Sequence, residues 1–355
     1  MNVPEWVEGV GRESVLCSRA RLARNLSGVP FRGAISPQEA RRFCERVLDS
    51  LKGLHPAFAP LADETSEELP DLVEAMRLPG NLLDPLDPGP WLALEDASRG
   101  VLALDGDHLR IWARTPGQSL PEALEMAGSL EALVREVMPL VRDPQFGWIT
   151  ASPMDAGTGL RASLLLHLPA LCIAGRTTGF PEAMEAMGHA LAGPWGGISE
   201  DDAGLFVLTH RRTIGLSEAE ILEGLEGVAS IFLREEENAR RCLLQEWGTE
   251  LEDAVARSAS LLGSAHLLSR RELSARVRWL SVGARLGWVS ASQARDAMEA
   301  HLRTGDRTLS RKAGSVAGEL EGNLDEWRAR TTAGIVRGDD DLQASTPERS
   351  RRDDA

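Results

Sequence analysis

From Ser217 onward the chain drops every short alternating segment and keeps only helical periodicity, and this change of pattern restricts the fold more than composition does. "SEAEILEGLEGVASIFLREEENARRCLLQEW" lines apolar residues along one helical face, and Ser217 with Glu220 forms a reciprocal capping pair at its start. Further helices are predicted at about 249–263, 270–287, 291–304 and 313–331, with no convincing strand among them. Before residue 217 the pattern is mixed. Ser36, Pro37 and Glu39 predict a capped helix to about Lys52. "WLALED", "GVLALDG" and "HLRIWAR" alternate as strands do, with a hairpin near Asp105 and Gly106. "PEALEMAGSLEALVREVMPLVRD" reads as a helix, "FGWIT", "ASLLLHL" and "GLFVLTHRRTIG" as strands, and "GFPEAMEAMGHALA" as a helix between the last two. "PLADETSEELPDLVEAM" reads as an acidic loop leading into a short helix, and "PGNLLDPLDPGP" as irregular. The expected organisation is a strand-and-helix domain over 1–220, an all-helical domain over 221–337 and a polar, disordered tail over 338–355.

Composition narrows the function. With 355 residues and a net charge of -15, the chain lacks the broad basic footprint of a nucleic-acid binder, although "VLCSRARLARNL" gathers Arg19, Arg21 and Arg24. No apolar run nears the roughly 18 residues that span a bilayer, and the start has no leader pattern, so a cytoplasmic protein without membrane contact is expected. Cys17, Cys44, Cys172 and Cys242 are far apart and the histidines lack H-E-x-x-H spacing, so no metal site is expected. Lys52 and Lys312 are the only lysines, and neither sits in a P-loop or kinase-lysine context. Any phosphate site must therefore be built from arginine, whose planar fork suits phosphate oxygens.

Three segments carry a specific resemblance. "CSRARLARNL", "DHLRI" and "GTGLRASLLLHLPAL", in that order, resemble the ATP:guanido phosphotransferases (phosphagen kinases), and chain length and the helical C-terminal third fit their bacterial protein-arginine kinase branch. The resemblance implies an α+β fold, an antiparallel sheet flanked by helices and followed by an all-α domain. It further implies an ATP site on Cys17, Ser18, Arg19, Ala20 and Arg21 of a first strand, Arg110 of a second, and Arg161, Ala162, Ser163, Leu164 and Leu165 of a third. Magnesium would arrive on the nucleotide. Such a cluster suits phosphoryl transfer, where catalysis is largely positioning and cationic stabilisation of equatorial oxygens.

The same resemblance marks departures where the chemistry lies. Gly106 and Gly197 stand where the family carries the glutamates that orient and deprotonate a guanidinium, Ala192 where it carries a further ATP-binding arginine, and Ser152 where it carries a cysteine that touches the substrate. A histidine expected to help bind the nucleotide base has no counterpart in "LLDPLDPGPWLAL". Ser152 and Asp105 remain as catalytic candidates, and Glu200, Asp201 and Asp202 are weighed as relocated acids against the plainer reading of solvated loop residues. In the helical third, "LDEWRA" keeps Asp325, Arg328 and Ala329 of a family phosphoarginine-binding motif but has Leu324 at its leading arginine. The alternative there is an ordinary amphipathic helix with Trp327 on its buried side.

Three functions follow as expectations. The first is a catalytically impaired protein-arginine kinase relative that binds ATP or ADP and a protein partner, possesses a homodimer interface in its helical third and serves regulation or proteostasis. The second is an active kinase with relocated acids. The third is an interaction scaffold that binds no nucleotide.

Overall fold

A computed structural model of the chain describes residues 4–54, 59–60, 76, 91–93, 98–317 and 324–338. Nearly all of the acidic segment before Met76, "PGNLLDPLDPGP", and the tail after Gly338 lie outside these residues. Strands β1 (Val15–Arg24), β2 (Ala59–Pro60), β3 (Trp91–Ala93), β4 (Arg99–Asp105), β5 (Asp107–Pro116), β8 (Leu160–His167), β9 (His189–Ala192) and β10 (Leu205–His210) form one sheet in the order β2-β3-β4-β5-β1-β8-β10-β9. Every neighbouring pair is antiparallel, and β6 (Arg142–Asp143) with β7 (Gly147–Trp148) makes a separate hairpin. Helices α1 (Pro37–Leu54), α2 (Leu120–Val137), α3 (Pro169–Ile173) and α4 (Phe180–Ala186) belong to this part of the chain. After β10 come only helices among the described residues: α5 (Glu218–Ser264), α6 (Arg270–Leu286), α7 (Ala291–Arg303), α8 (Asp306–Ala317) and α9 (Leu324–Arg337). This is the α+β architecture with a helical C-terminal region that the sequence predicts.

Local chemistry sets the ends. Ser36 and Glu39 exchange the expected capping bonds at the start of α1, and Ser217 and Glu220 do so for α5. The hairpin between β4 and β5 pairs Asp105 with Asp107 across Gly106, whose φ of 80° lies in the left-handed region that suits glycine. Three predictions need correction. The helix expected through Asp143 ends at Val137, because Met138 precedes a proline and turns extended, which frees Arg142 and Asp143 to pair with β7. The helix expected over "GFPEAMEAMGHALA" stops at Ala186, and Gly188, at φ 79°, reverses the chain into strand β9. The long helix also runs past the expected break, bending at Gly248 where the backbone leaves helical values.

The two faces of the sheet have different fates. One carries Ala20, Leu22, Ile111, Ala162, Leu164 and Leu208 into a core shared with Phe43 of α1, Leu130 and Val134 of α2, and Leu225, Phe232 and Leu243 of α5. That core therefore crosses residue 220. On the other face, at one end, Cys17, Leu165 and Leu205 pack with Leu273, Val277 and Leu280 of α6 and Met298 of α7. Each buried side chain of this size contributes about 1.5–3 kcal/mol, so the helices are held firmly against that end of the sheet. Farther along the same strands the face carries arginines.

Candidate functional site

Side chains alternate along a strand, so β1 sends Arg19, Arg21 and Ala23 to one face and Ala20, Leu22 and Arg24 to the other. Register then gathers the rest. Arg21 lies opposite Arg161 of β8, Ala23 opposite Arg110 of β5, and Arg19 opposite both Ser163 and Arg114. Residues paired in this way share a face, which brings Arg19, Arg21, Arg110 and Arg161 together as the sequence predicts and adds Arg114, which it does not. Arg21, Arg110 and Arg161, with Ala23, Asp155 and Gly159, line one small open hollow. Among the described residues that line it, three guanidinium groups face one carboxylate. Arg19, beside it, is half-buried; burial pushes its pKa down, and the Arg110 charge adds to this. Burial likewise raises the pKa of Cys17, against the charges of Arg114 and Arg19, which keeps the thiol neutral.

The other predicted nucleotide-binding positions are not among the residues that line the hollow. Ser18, Ala20, Ala162 and Leu164 are fully buried, and the Ser18 hydroxyl ties down the turn after β5 by donating to the Gly117 carbonyl and accepting from the Ser119 amide, both at 2.8 Å. Cys17 and Leu165 belong to the core against the C-terminal helices, and Ser163 is buried on the arginine face. Arg24 is neither a surface residue nor a helical one. On the core face it bonds Glu131 of α2 at 2.5 Å and stacks over Trp148 at 4.0 Å, while burial pushes its pKa down and Glu131 pulls it up. Arg24 stands three positions from Arg21, an odd number, so their side chains take opposite faces of the sheet.

Asp105 ends β4, and its side chain lies outside the described part of the structure. Gly106 is exposed in the turn beside it. Ser152 is half-buried at the head of the short helical turn Pro153–Asp155, and it is not among the residues lining the hollow. Gly197 is exposed with open space where a side chain would stand, and Ala192 lies on the arginine face, paired with Val207 beyond Leu165. The acids after Gly197 turn toward the C-terminal helices. Glu200 pairs with Arg271, its carbonyl accepts from Arg278 at 2.7 Å, and the Asp201 carbonyl accepts from Ser274 at 2.8 Å. Asp202 accepts from the Ser199 amide at 2.7 Å, and burial pushes its pKa up to about 6. Trp195 in the same segment sits 5.7 Å from the His301 ring, with Arg270 stacked over it. These acids are engaged in docking the segment onto α6 and its neighbours.

Sequence reasoning missed the acid that does reach the hollow. Asp155 is buried, and its Oδ1 lies 2.7 Å from Nη2 of Arg161. "TASPMDAGTG" contains it in plain view, but only the fold shows that the turn after Ser152 folds back on β8. Asp107 and His108 were also missed as ties. The Asp107 carboxylate accepts from the Asn25 amide at 2.8 Å and from the Ala151 backbone at 2.6 Å, joining β5, the end of β1 and the segment that carries Ser152. His108 Nδ1 accepts from the Leu26 amide, so Nε2 carries the proton and donates to the Pro30 carbonyl at 2.8 Å.

In the helical region Arg328 is buried and Ala329 is packed in the core against the sheet. The Arg328 guanidinium donates to the carbonyls of Thr304 and Leu268 and to the carboxylates of Asp325 and Asp306. Trp327 is only half-buried, so the side of α9 expected to bury tryptophan buries arginine instead. Among the described residues no group of three or more metal-ligating side chains converges, and no helix is long and apolar enough to cross a membrane.

Comparisons with known proteins agree with this geometry. Residues 60–239 match the family model of the ATP:guanido phosphotransferase C-terminal catalytic domain. The chain is 30% identical over 330 residues to the protein-arginine kinase of Symbiobacterium thermophilum, covering 89% of this chain and 92% of the relative. Against that of an Exiguobacterium strain it is 32% identical over 277 residues, covering 78% and 80%. Among solved structures the fold is similar to the duplicated taurocyamine kinase of Schistosoma mansoni with bound transition-state-analogue components, at a TM-score of 0.53, 24% identity and coverage of 62% of this chain and 32% of that one. It is also similar to lombricine kinase, at a TM-score of 0.51, 18% identity and coverage of 66% and 71%. Antiparallel sheet, ordered arginine segments and matched sequence together place the chain in the ATP:guanido phosphotransferase family, on its protein-arginine kinase branch.

Proposed function

We propose that this protein grips the phosphates of ATP or ADP with Arg19, Arg21, Arg110 and Arg161, transfers phosphate poorly, and acts in the cytoplasm by binding, in regulation or proteostasis. The observation that carries the reading is the meeting of these arginines on one sheet face, three of them around one hollow, while Gly106 and Gly197 contribute no side chain. A polyanion neutralises such a cluster. A guanidinium acceptor must still lose a proton, and loss of a general base slows a reaction by about 10²- to 10⁴-fold. Magnesium comes on the nucleotide, since among the described residues Asp155 is the single acid lining the hollow and hard cations keep most of their water. The partner is a protein that presents arginine or phosphoarginine, and the C-terminal helices supply a homodimer contact.

The test is incubation with MgATP and an arginine-rich protein, followed by measurement of acid-labile phosphate. A rate at least about a hundredfold below that of an active relative is expected; a comparable rate would end this reading. One observation favours the second reading, an active kinase with a relocated acid: the Asp155 carboxylate beside Arg161. A scaffold without nucleotide would show no thermal stabilisation by ATP or ADP, with or without magnesium, whereas a ligand that binds the native state alone raises stability with its concentration.

A further inference from the structure

We propose that Asp155 is a specificity residue of the arginine hollow, a built-in anion that holds the place of a phosphate oxygen, so that nucleotide binding exchanges one anion for another. The proposal rests on reading the hollow as a phosphate site. Its basis is geometric. Asp155 ends the short turn Pro153–Asp155, whose last amide donates to the Ser152 carbonyl at 3.0 Å. Thr213, only 2% exposed, clamps that turn from both sides: its hydroxyl reaches the carbonyls of Met154 at 3.0 Å and Ala156 at 2.6 Å, and its amide donates to Met154. The carboxylate is therefore aimed by its backbone. It lies against Arg161 at 2.7 Å and faces the same hollow as Arg21 and Arg110.

Carboxylate and phosphate oxygens make the same charge-assisted bond to a guanidinium, so the two compete for the Arg161 Nη2 donor. An arriving phosphate meets a negative group already in place. Placing like charges side by side weakens binding, and a nucleotide chelated by magnesium brings less negative charge than a free one. Asp155 thus lowers the affinity for any bare anion and leaves chelated nucleotide as the favoured ligand.

The experiment is calorimetric titration of the full-length protein, at low ionic strength, with MgADP and with ADP in chelator. Asp155→Asn keeps the shape and an oxygen for Arg161 but removes the charge. It is expected to bind ADP about tenfold more tightly, equivalent to ~1.4 kcal/mol, and to narrow the gap between chelated and free nucleotide. Asp155→Ser serves as a second variant, and the unfolding midpoint of each without nucleotide identifies any variant that fails to fold. Binding by the variants alone would support the proposal. Wild-type binding with unchanged or weaker affinity in both folded variants would overturn it and leave the phosphate reading standing. Loss of residual phosphoryl transfer at unchanged affinity would also overturn it and give Asp155 the part of the missing acid. No binding by any of the three proteins would end both readings together.

Discussion

Arg161 keeps 36% of its side chain exposed, with one carboxylate beside it and two further arginines around the same hollow. Arg328 keeps 1% exposed, in the helical region, with two carboxylates and two carbonyls around its guanidinium. Both belong to segments with a phosphate-binding resemblance, and residue type does not distinguish them. What differs is the company. A guanidinium has five N–H donors. At Arg328 acceptors of the chain itself make four bonds to them and tie α9 to the end of α7, the start of α8 and the Leu268 segment. At Arg161 the described charged neighbours around the hollow are two arginines and one carboxylate, an arrangement that favours an incoming anion. Arg24 is closer to Arg328 in kind, for its neighbours are Glu131, the Thr158 and Ala23 carbonyls and the face of Trp148.

The largest effect is expected at the structural arginine. Arg328→Ala leaves buried carbonyls without a donor and two carboxylates without their cation, and breaking such an arrangement costs about 3 kcal/mol. Urea unfolding should show that loss while calorimetry finds MgADP affinity within about twofold of wild type. A change in stability under about 1 kcal/mol would break the contrast, because Arg328 would then be as replaceable as a surface residue.

Arg161→Ala should give the opposite profile. Removing one cation from a cluster of like charges relieves repulsion and offsets the loss of the Asp155 contact, so stability should change by no more than about 1 kcal/mol. MgADP affinity should fall by roughly 10- to 100-fold, the effect of removing a charged hydrogen bond to an anion. Full affinity retained in this variant would move the phosphate site away from the hollow.

How much of this contrast was legible in the sequence depended on range. Capping pairs at Ser36 and Ser217 and the turn at Gly106 are decided by neighbouring residues, and all three appear where the sequence puts them. The arginine cluster was legible because the three segments carry a resemblance that already encodes their register. Arg24 was not, since only the pairing of β1 with its neighbours shows which parity faces α2. Strand β9 was hidden inside a helical pattern until Gly188 reversed the chain. Asp155 and Arg328 were the hardest. Each has partners distant in sequence or in a turn whose direction the sequence does not state, so their roles emerge only when β8 and Thr213, or Thr304, Asp306 and Leu268, are in place.

The smallest expected effect sharpens the comparison most, because the same chemical change is made beside each arginine. Asp306, in the first turn of α8, pairs with Nη2 of Arg328 and keeps 64% of its side chain exposed. Asp306→Asn removes a solvent-screened charge and leaves Arg328 with Asp325 and two carbonyls, so the loss should be about 1 kcal/mol or less. It should create no affinity for an anion, for Asn can still accept a hydrogen bond from the guanidinium and the pocket stays closed by protein acceptors. Asp155→Asn, in contrast, is expected to tighten nucleotide binding. Titration of Asp306→Asn with a phosphoarginine peptide checks the difference directly. Binding there would mean that Asp306 occupies a phosphate position just as Asp155 does, and the division between an open and an engaged arginine would give way to two anion sites held shut by their own carboxylates.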